Sequence, residues 1–213
     1  MLCARTGQLC PPALSSALPE VGGADFLLAL RSGLWSGHGK MVAVKLSDIT
    51  LRFARSADAS TLAAMSRDLV ECGLGWHYRT ERVTVLLNDP ETVTVVADDG
   101  PRTVGFAIMA VGDARAHLVL LAVRPSYQRR GIGARMTRWL VETAATAGMA
   151  SVDVELRAGN KAAYALYHVL AFAETQRVDG YYRGRETAIR MVRLLRFAGS
   201  TPQDWSPPPP EKR

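Results

Sequence analysis

The chain reads as a mixed α/β domain: a mostly antiparallel central sheet flanked by helices. Three observations predict it. Apolar, Val- and Thr-rich runs of strand length alternate with amphipathic helical runs along the middle of the 213 residues. The stretch Leu121 to Ala134, LAVRPSYQRRGIGA, carries an apolar strand through a proline turn into a glycine-rich helix start. Beyond that helix a strictly alternating strand follows, which makes a strand–helix–strand crossover.

Residues 1–48 form an N-terminal extension. Pro11-Pro12, Gly22-Gly23 and Ser36-Gly37 punctuate it without a long period, so it is expected to be poorly ordered, with at most a short helix near Asp25 to Arg31. Met41 opens a cleaner sequence and is an expected translation start. Residues 49–196 form the domain. Ile49 to Phe53 is a strand, and Ser56 and Asp58 offer caps for a helix through about Glu71. Gly73 and Gly75 end it, and a short helix covers about Thr80 to Leu87. Thr92 to Ala97, Val104 to Val111 and His117 to Val123 form an antiparallel meander, with Gly100 and Gly112 in its turns. A helix runs from Gly131 to about Ala147, with Ile132, Met136, Trp139, Leu140, Thr143, Ala144 and Ala147 on one face. Gly148 stops it. In Ser151 to Arg157, Val152, Val154 and Leu156 face one way and Asp153, Glu155 and Arg157 the other. Asn160 caps a helix through about Leu170, and Phe172 to Val178 and Thr187 to Leu194 close the sheet. Residues 197–213 are a tail expected to be disordered, because Pro207 to Pro210 cannot join helix or ladder.

Composition bounds the function. Apolar residues make up 48% of the chain, enough for a core. The 26 basic against 20 acidic residues give a net charge of +6, which suits an anionic ligand. No dense Lys/Arg run interleaves with aromatics, so direct nucleic-acid binding is not expected. The three cysteines, Cys3, Cys10 and Cys72, fit no metal spacing, and the four histidines are scattered. A reduced, cytoplasmic protein with no metal is expected, and no apolar run is long enough for a membrane span.

The glycine-rich turn carries the chemistry. A strand entering such a turn at a helix N-terminus is built to hold phosphate, because the first helical N–H groups lack intrahelical partners and the dipole adds positive potential. A dinucleotide fingerprint would need glycine where Met136 stands, and the Gly-Lys-Ser/Thr of a nucleotide P-loop is missing. The glycines alone suit an ordinary tight turn equally well.

Three blocks in order decide between these readings: LAVRPSYQRRGIGARM, then VELRAGNKAAYALY, then GYYRGRETAIRM. Together they resemble the GNAT acetyltransferases, and more narrowly the RimI type, which acetylates the N-terminal alanine of a ribosomal protein. The resemblance covers most of the second half of the chain. It implies a GNAT fold and acetyl-CoA as cosubstrate, with no metal. Arg129, Arg130, Gly131, Ile132, Gly133 and Ala134 fall on the family's pyrophosphate-binding positions. Leu121, Ala122 and Val123 fall on the strand that pairs with the pantetheine arm. Asn160 matches a position that contacts the cofactor.

The resemblance also assigns the acceptor side. Glu155, on alternation alone a polar residue of a solvated strand face, matches the family's base. Tyr167, on periodicity alone a packed core tyrosine with its hydroxyl at the rim, matches the family's acid. Tyr181 and Tyr182 match paired aromatics in the loop before the last strand, and Glu71 to Tyr78 is a second expected substrate wall. His117 and His168 are expected to be structural. The family usually has Leu-Gly-Phe where this chain has Leu170-Ala171-Phe172, so the helix is expected to end differently and shift Tyr167. The implied partners are acetyl-CoA and a protein N-terminus, with the chain a monomer or weak dimer. A small-molecule amine or a lysine side chain is the alternative acceptor, and a non-catalytic acyl-CoA-binding domain the third reading.

Overall fold

The computed structural model describes residues 49–195. The expectations for the N-terminal extension, the start at Met41, Arg196 and the proline-rich tail lie outside the described residues.

Seven strands and four helices follow one another: β1 (Ile49–Phe53), α1 (Ala59–Leu69), α2 (Thr80–Asn88), β2 (Thr92–Asp99), β3 (Arg102–Val111), β4 (Arg115–Val123), α3 (Ile132–Thr146), β5 (Ser151–Arg157), α4 (Lys161–Val169), β6 (Ala173–Tyr182) and β7 (Glu186–Leu194). The strands form one sheet in the order β1-β2-β3-β4-β5-β7-β6. Only β4 and β5 pair in parallel, as the crossover through α3 requires.

Helices cover both sheet faces, which is why most strands read as near-continuous apolar runs. On one face Ile132, Met136, Leu140 and Ala144 of α3 pack with Ala163 and Tyr167 of α4 against Val152, Val154 and Leu156. On the other, Leu62 and Ala63 of α1 and Val83 and Leu87 of α2 pack against Phe106, Ile108, Leu120 and Ala122. The predicted apolar face of α3 is buried as expected, with Trp139 edge-on to Phe53 at a centroid distance of 5.0 Å.

Two local expectations differ. Neither Ser56 nor Asp58 caps α1; the Asp58 carboxylate instead accepts the Arg55 amide at 2.6 Å and the Arg52 guanidinium at 2.7 Å. Ala171 does take the left-handed conformation, with φ 61°, and Phe172 N–H donates to the Tyr167 carbonyl at 3.0 Å. The helix therefore ends as it would with glycine, and alanine carries a backbone cost of roughly 1–2 kcal/mol there.

Candidate active site

The site begins where the sheet opens. β4 and β5 pair only from Arg115 opposite Ser151 to Leu118 opposite Val154, yet β4 continues to Val123 and β5 to Arg157. Val119 is an extra residue in the β3–β4 register at this point, a bulge that bends β4 away. A groove of about 510 Å³ lies along the open part of β4.

Leu121, Ala122 and Val123 form one wall of that groove, and Arg129, Gly131, Ile132, Gly133 and Ala134 form its end. The first intrahelical bond of α3 is Arg135 N–H to the Gly131 carbonyl, so the amides of Ile132, Gly133 and Ala134 precede the ladder. Gly131 sits at φ 76° and Arg129 at φ 63°, left-handed turns that set the amides at the helix start. Two expected contacts fall outside the lining. Arg130 lies over the Tyr127 ring, 5.0 Å from its centroid. Asn160 spends its side-chain oxygen on capping α4, accepting from Ala163 N–H at 3.1 Å. Its Nδ2 is buried without a hydrogen-bond partner.

The opposite wall is α4, through Ala162, Leu166 and Val169. This helix has two apolar stripes, one on the core through Ala163 and Tyr167 and one on the groove, and Val169 is left 77% exposed. The signal was in the sequence: KAAYALYHV is apolar nearly all round, the mark of a helix with something on both sides.

Glu155 does not sit on a solvated face. It is buried on β5, with its side chain 9% exposed, because the α1/α2 layer and the β6–β7 hairpin cover that side. One carboxylate oxygen, Oε1, accepts from Arg190 Nη2 at 2.5 Å and Nε at 3.1 Å. The other accepts from the Tyr181 hydroxyl. The bond to Glu155 holds the Arg190 guanidinium above its ordinary range. Tyr181 and Tyr182 close β6 rather than lying in a loop, because β6 and β7 continue to Tyr182 opposite Glu186 before the tight turn.

Tyr167 is also deeper than expected. Its side chain is fully buried against Phe172, and the hydroxyl has no hydrogen-bond partner. Burial alone pushes the phenol far up, so it keeps its proton at any physiological pH. Glu155 points to the α1/α2 face of the sheet and Tyr167 lies in the α3/α4 core, so the two lie on opposite faces of the sheet, and neither is among the residues lining the groove.

The turn from Glu71 to Tyr78, expected as a substrate wall, is ordered by its own side chains. Glu71, buried, accepts from Ser66 Oγ at 3.1 Å, His77 N–H at 2.6 Å and Tyr78 N–H at 3.1 Å, which folds this turn around one carboxylate. Arg157 on β5 donates to the Cys72 carbonyl at 2.9 Å, and Arg183 in the β6–β7 turn donates to the Leu74 carbonyl at 2.9 Å. The two expected substrate walls are thus tied together. Trp76 is exposed, with its Nε1 donating to the Tyr78 carbonyl at 3.0 Å. His117 pairs with Asp153 at 2.6 Å across the closed part of β4 and β5. Among the described residues no group of three or more His, Cys, Asp or Glu side chains could hold a metal ion.

The family model described as the acetyltransferase (GNAT) family matches residues 62–172, just over half of the chain. The chain belongs to the acetyltransferase (GNAT) family. This GNAT domain is 40% identical over 101 residues to the [ribosomal protein bS18]-alanine N-acetyltransferase of Salmonella typhimurium, covering 46% of this chain and 67% of that protein. It is 41% identical over 90 residues to the enzyme of that name from Escherichia coli, covering 41% of this chain and 61% of that one. The crystal structure of the Escherichia coli ribosomal-protein-alanine N-acetyltransferase superposes with a TM-score of 0.64 at 27% identity, over 72% of this chain and 97% of that one.

Acetyl-CoA, the cosubstrate of GNAT enzymes, fits the groove on observations internal to the chain. The end of the groove offers helix-start amides for a pyrophosphate. The open part of β4 gives its Leu121 to Val123 wall to an extended arm. Asn160 and Tyr167, whose buried Nδ2 and hydroxyl lack hydrogen-bond partners, are not among the residues lining the groove.

Proposed function

We propose that this acetyltransferase moves an acetyl group from acetyl-CoA to the N-terminal α-amine of a protein in the cytoplasm, with a ribosomal protein that starts with alanine as the acceptor class. The chemistry is supported by Glu155 lying on β5 just beyond the end of its pairing with β4, with the buried Tyr167 on the opposite face of the sheet. The acceptor class is supported by the two relatives at 40% and 41% identity, which carry that activity in their names.

Acetyl-CoA supplies an activated acetyl thioester when bound. The chain supplies position and protons. The amides of Ile132, Gly133 and Ala134 hold the phosphates, with Arg129 at the same turn. An α-amine arrives mostly as ammonium at pH 7, since it titrates near ~8. Glu155 Oε2 takes that proton, directly or through the Tyr181 hydroxyl bonded to it. Tyr167 Oη, held protonated by burial, gives a proton to the departing thiolate. The turn ordered by Glu71 and the hairpin bearing Tyr181 form the acceptor walls.

The test is thiol release from acetyl-CoA with a peptide starting in alanine, with the product mapped by fragmentation. Acetylation at the α-amine, with Glu155→Gln reducing kcat/KM by about 10²–10⁴-fold, is the expected result. Acetylation only of lysine side chains or of small amines would move the acceptor to the alternative class.

A further inference from the structure

Glu155 is clamped from one side. Its strand neighbour in register is Arg190 on β7, and both guanidinium contacts, at 2.5 Å and 3.1 Å, go to the same oxygen, Oε1. The Arg190 side chain is itself held: its Nη1 donates to Gln176 Oε1 on β6 at 3.1 Å. The other carboxylate oxygen, Oε2, is left to the Tyr181 hydroxyl. Two charge-assisted bonds from one guanidinium to one oxygen fix the rotamer of the carboxylate.

We propose that Arg190 is a positioning residue for acetyl transfer: by holding Oε1 from β7 it fixes the direction of the Glu155 carboxylate, with Oε2 as the working oxygen. This rests on the reading of Glu155 as the base. The half-exposed Arg190, on β7, reaches Glu155 of β5 and Gln176 of β6 and is not among the residues lining the acetyl-CoA groove. Its effect therefore falls on the proton-accepting step and not on cosubstrate binding.

Other charged and titratable groups around Glu155 have their own partners. Asp153, two residues earlier on β5, is bonded to His117 of β4. Arg157, two residues later, is bonded to the Cys72 carbonyl and lies 3.5 Å from Glu186 of β7. Tyr181 comes from β6, and in the facing turn the Glu71 carboxylate is turned inward onto the amides of His77 and Tyr78. Arg190 is the cation that directly contacts the carboxylate.

The experiment compares wild type, Arg190→Met, Arg190→Lys and Glu155→Gln with an alanine-starting peptide, and measures acetyl-CoA affinity separately by calorimetry. Loss of Arg190 to Met lowers kcat about tenfold or more and leaves the KM for acetyl-CoA unchanged. Lysine, a single charge without the fork, restores part of kcat. Acetyl-CoA affinity stays at the wild-type value in all variants, which also shows that they fold. A wild-type kcat in Arg190→Met, with transfer lost in Glu155→Gln, overturns the role of Arg190 alone. A wild-type kcat in Glu155→Gln overturns the reading of Glu155 itself.

Discussion

Tyr167 is held in the core with an unpartnered hydroxyl, and a buried polar group in that state costs roughly 1–3 kcal/mol. Replacing it with phenylalanine removes that penalty and keeps the packing against Phe172. Tyr167→Phe is therefore expected to be more stable than wild type without ligand, by about 1 kcal/mol in denaturant titration, and slower in transfer by about 10²-fold. Its pH dependence has a definite sign. Burial raises the folded-state phenol above its unfolded value, so the contribution to stability is complete below about pH 10 and is lost as pH rises beyond it. The Phe variant lacks that alkaline decline. Both candidate catalysts could be named from residue type, spacing and family blocks, but their surroundings could not. Alternation made Glu155 look solvated because its cover is remote in sequence: Arg190 stands 35 residues away and Tyr181 26. The depth of Tyr167 depends likewise on how α4 docks, which no local pattern encodes.

At the scale of elements, the groove is the meeting of a splayed strand, a helix start and a second helix. Gly133 shows how close these are. A methyl group there would lie 3.6 Å from Leu166, 3.8 Å from Val123 and 3.9 Å from Leu121, contacts the apo fold accepts but which fill the cradle. Gly133→Ala is expected to gain up to about 1 kcal/mol in helix propensity and to weaken acetyl-CoA at least tenfold, roughly 1.4 kcal/mol, in calorimetry. The order of elements along the chain and the helix bounds to within about two residues were legible because each element has its own period and turn. The split itself was not: nothing in the runs at Leu121 or Glu155 tells where a parallel pair stops. The end of β6 was misplaced because Asp179 and Gly180 look like a turn, whereas Tyr182 stays in register opposite Glu186.

As a whole, the described chain is a sheet covered on both faces and opened in one place, with Glu155 and Tyr167, the proposed proton-handling groups, on opposite faces. A ligand that binds only this folded state stabilises it by mass action. Acetyl-CoA at about 100 times its dissociation constant is expected to add roughly 2.7 kcal/mol, read as a rise in melting temperature. Free adenine nucleotide without the pantetheine arm should add less, because the β4 edge then has no partner. The net charge of +6 suits the anionic cosubstrate. The central claim is that Glu155 and Tyr167 act across the split on one reaction, and its most direct test is single-turnover transfer from acetyl-CoA to an alanine-starting peptide by wild type, Glu155→Gln and Tyr167→Phe. The account predicts α-amine acetylation by wild type and a loss of about 10²-fold or more in each variant, with acetyl-CoA binding retained; wild-type transfer by both variants would contradict it.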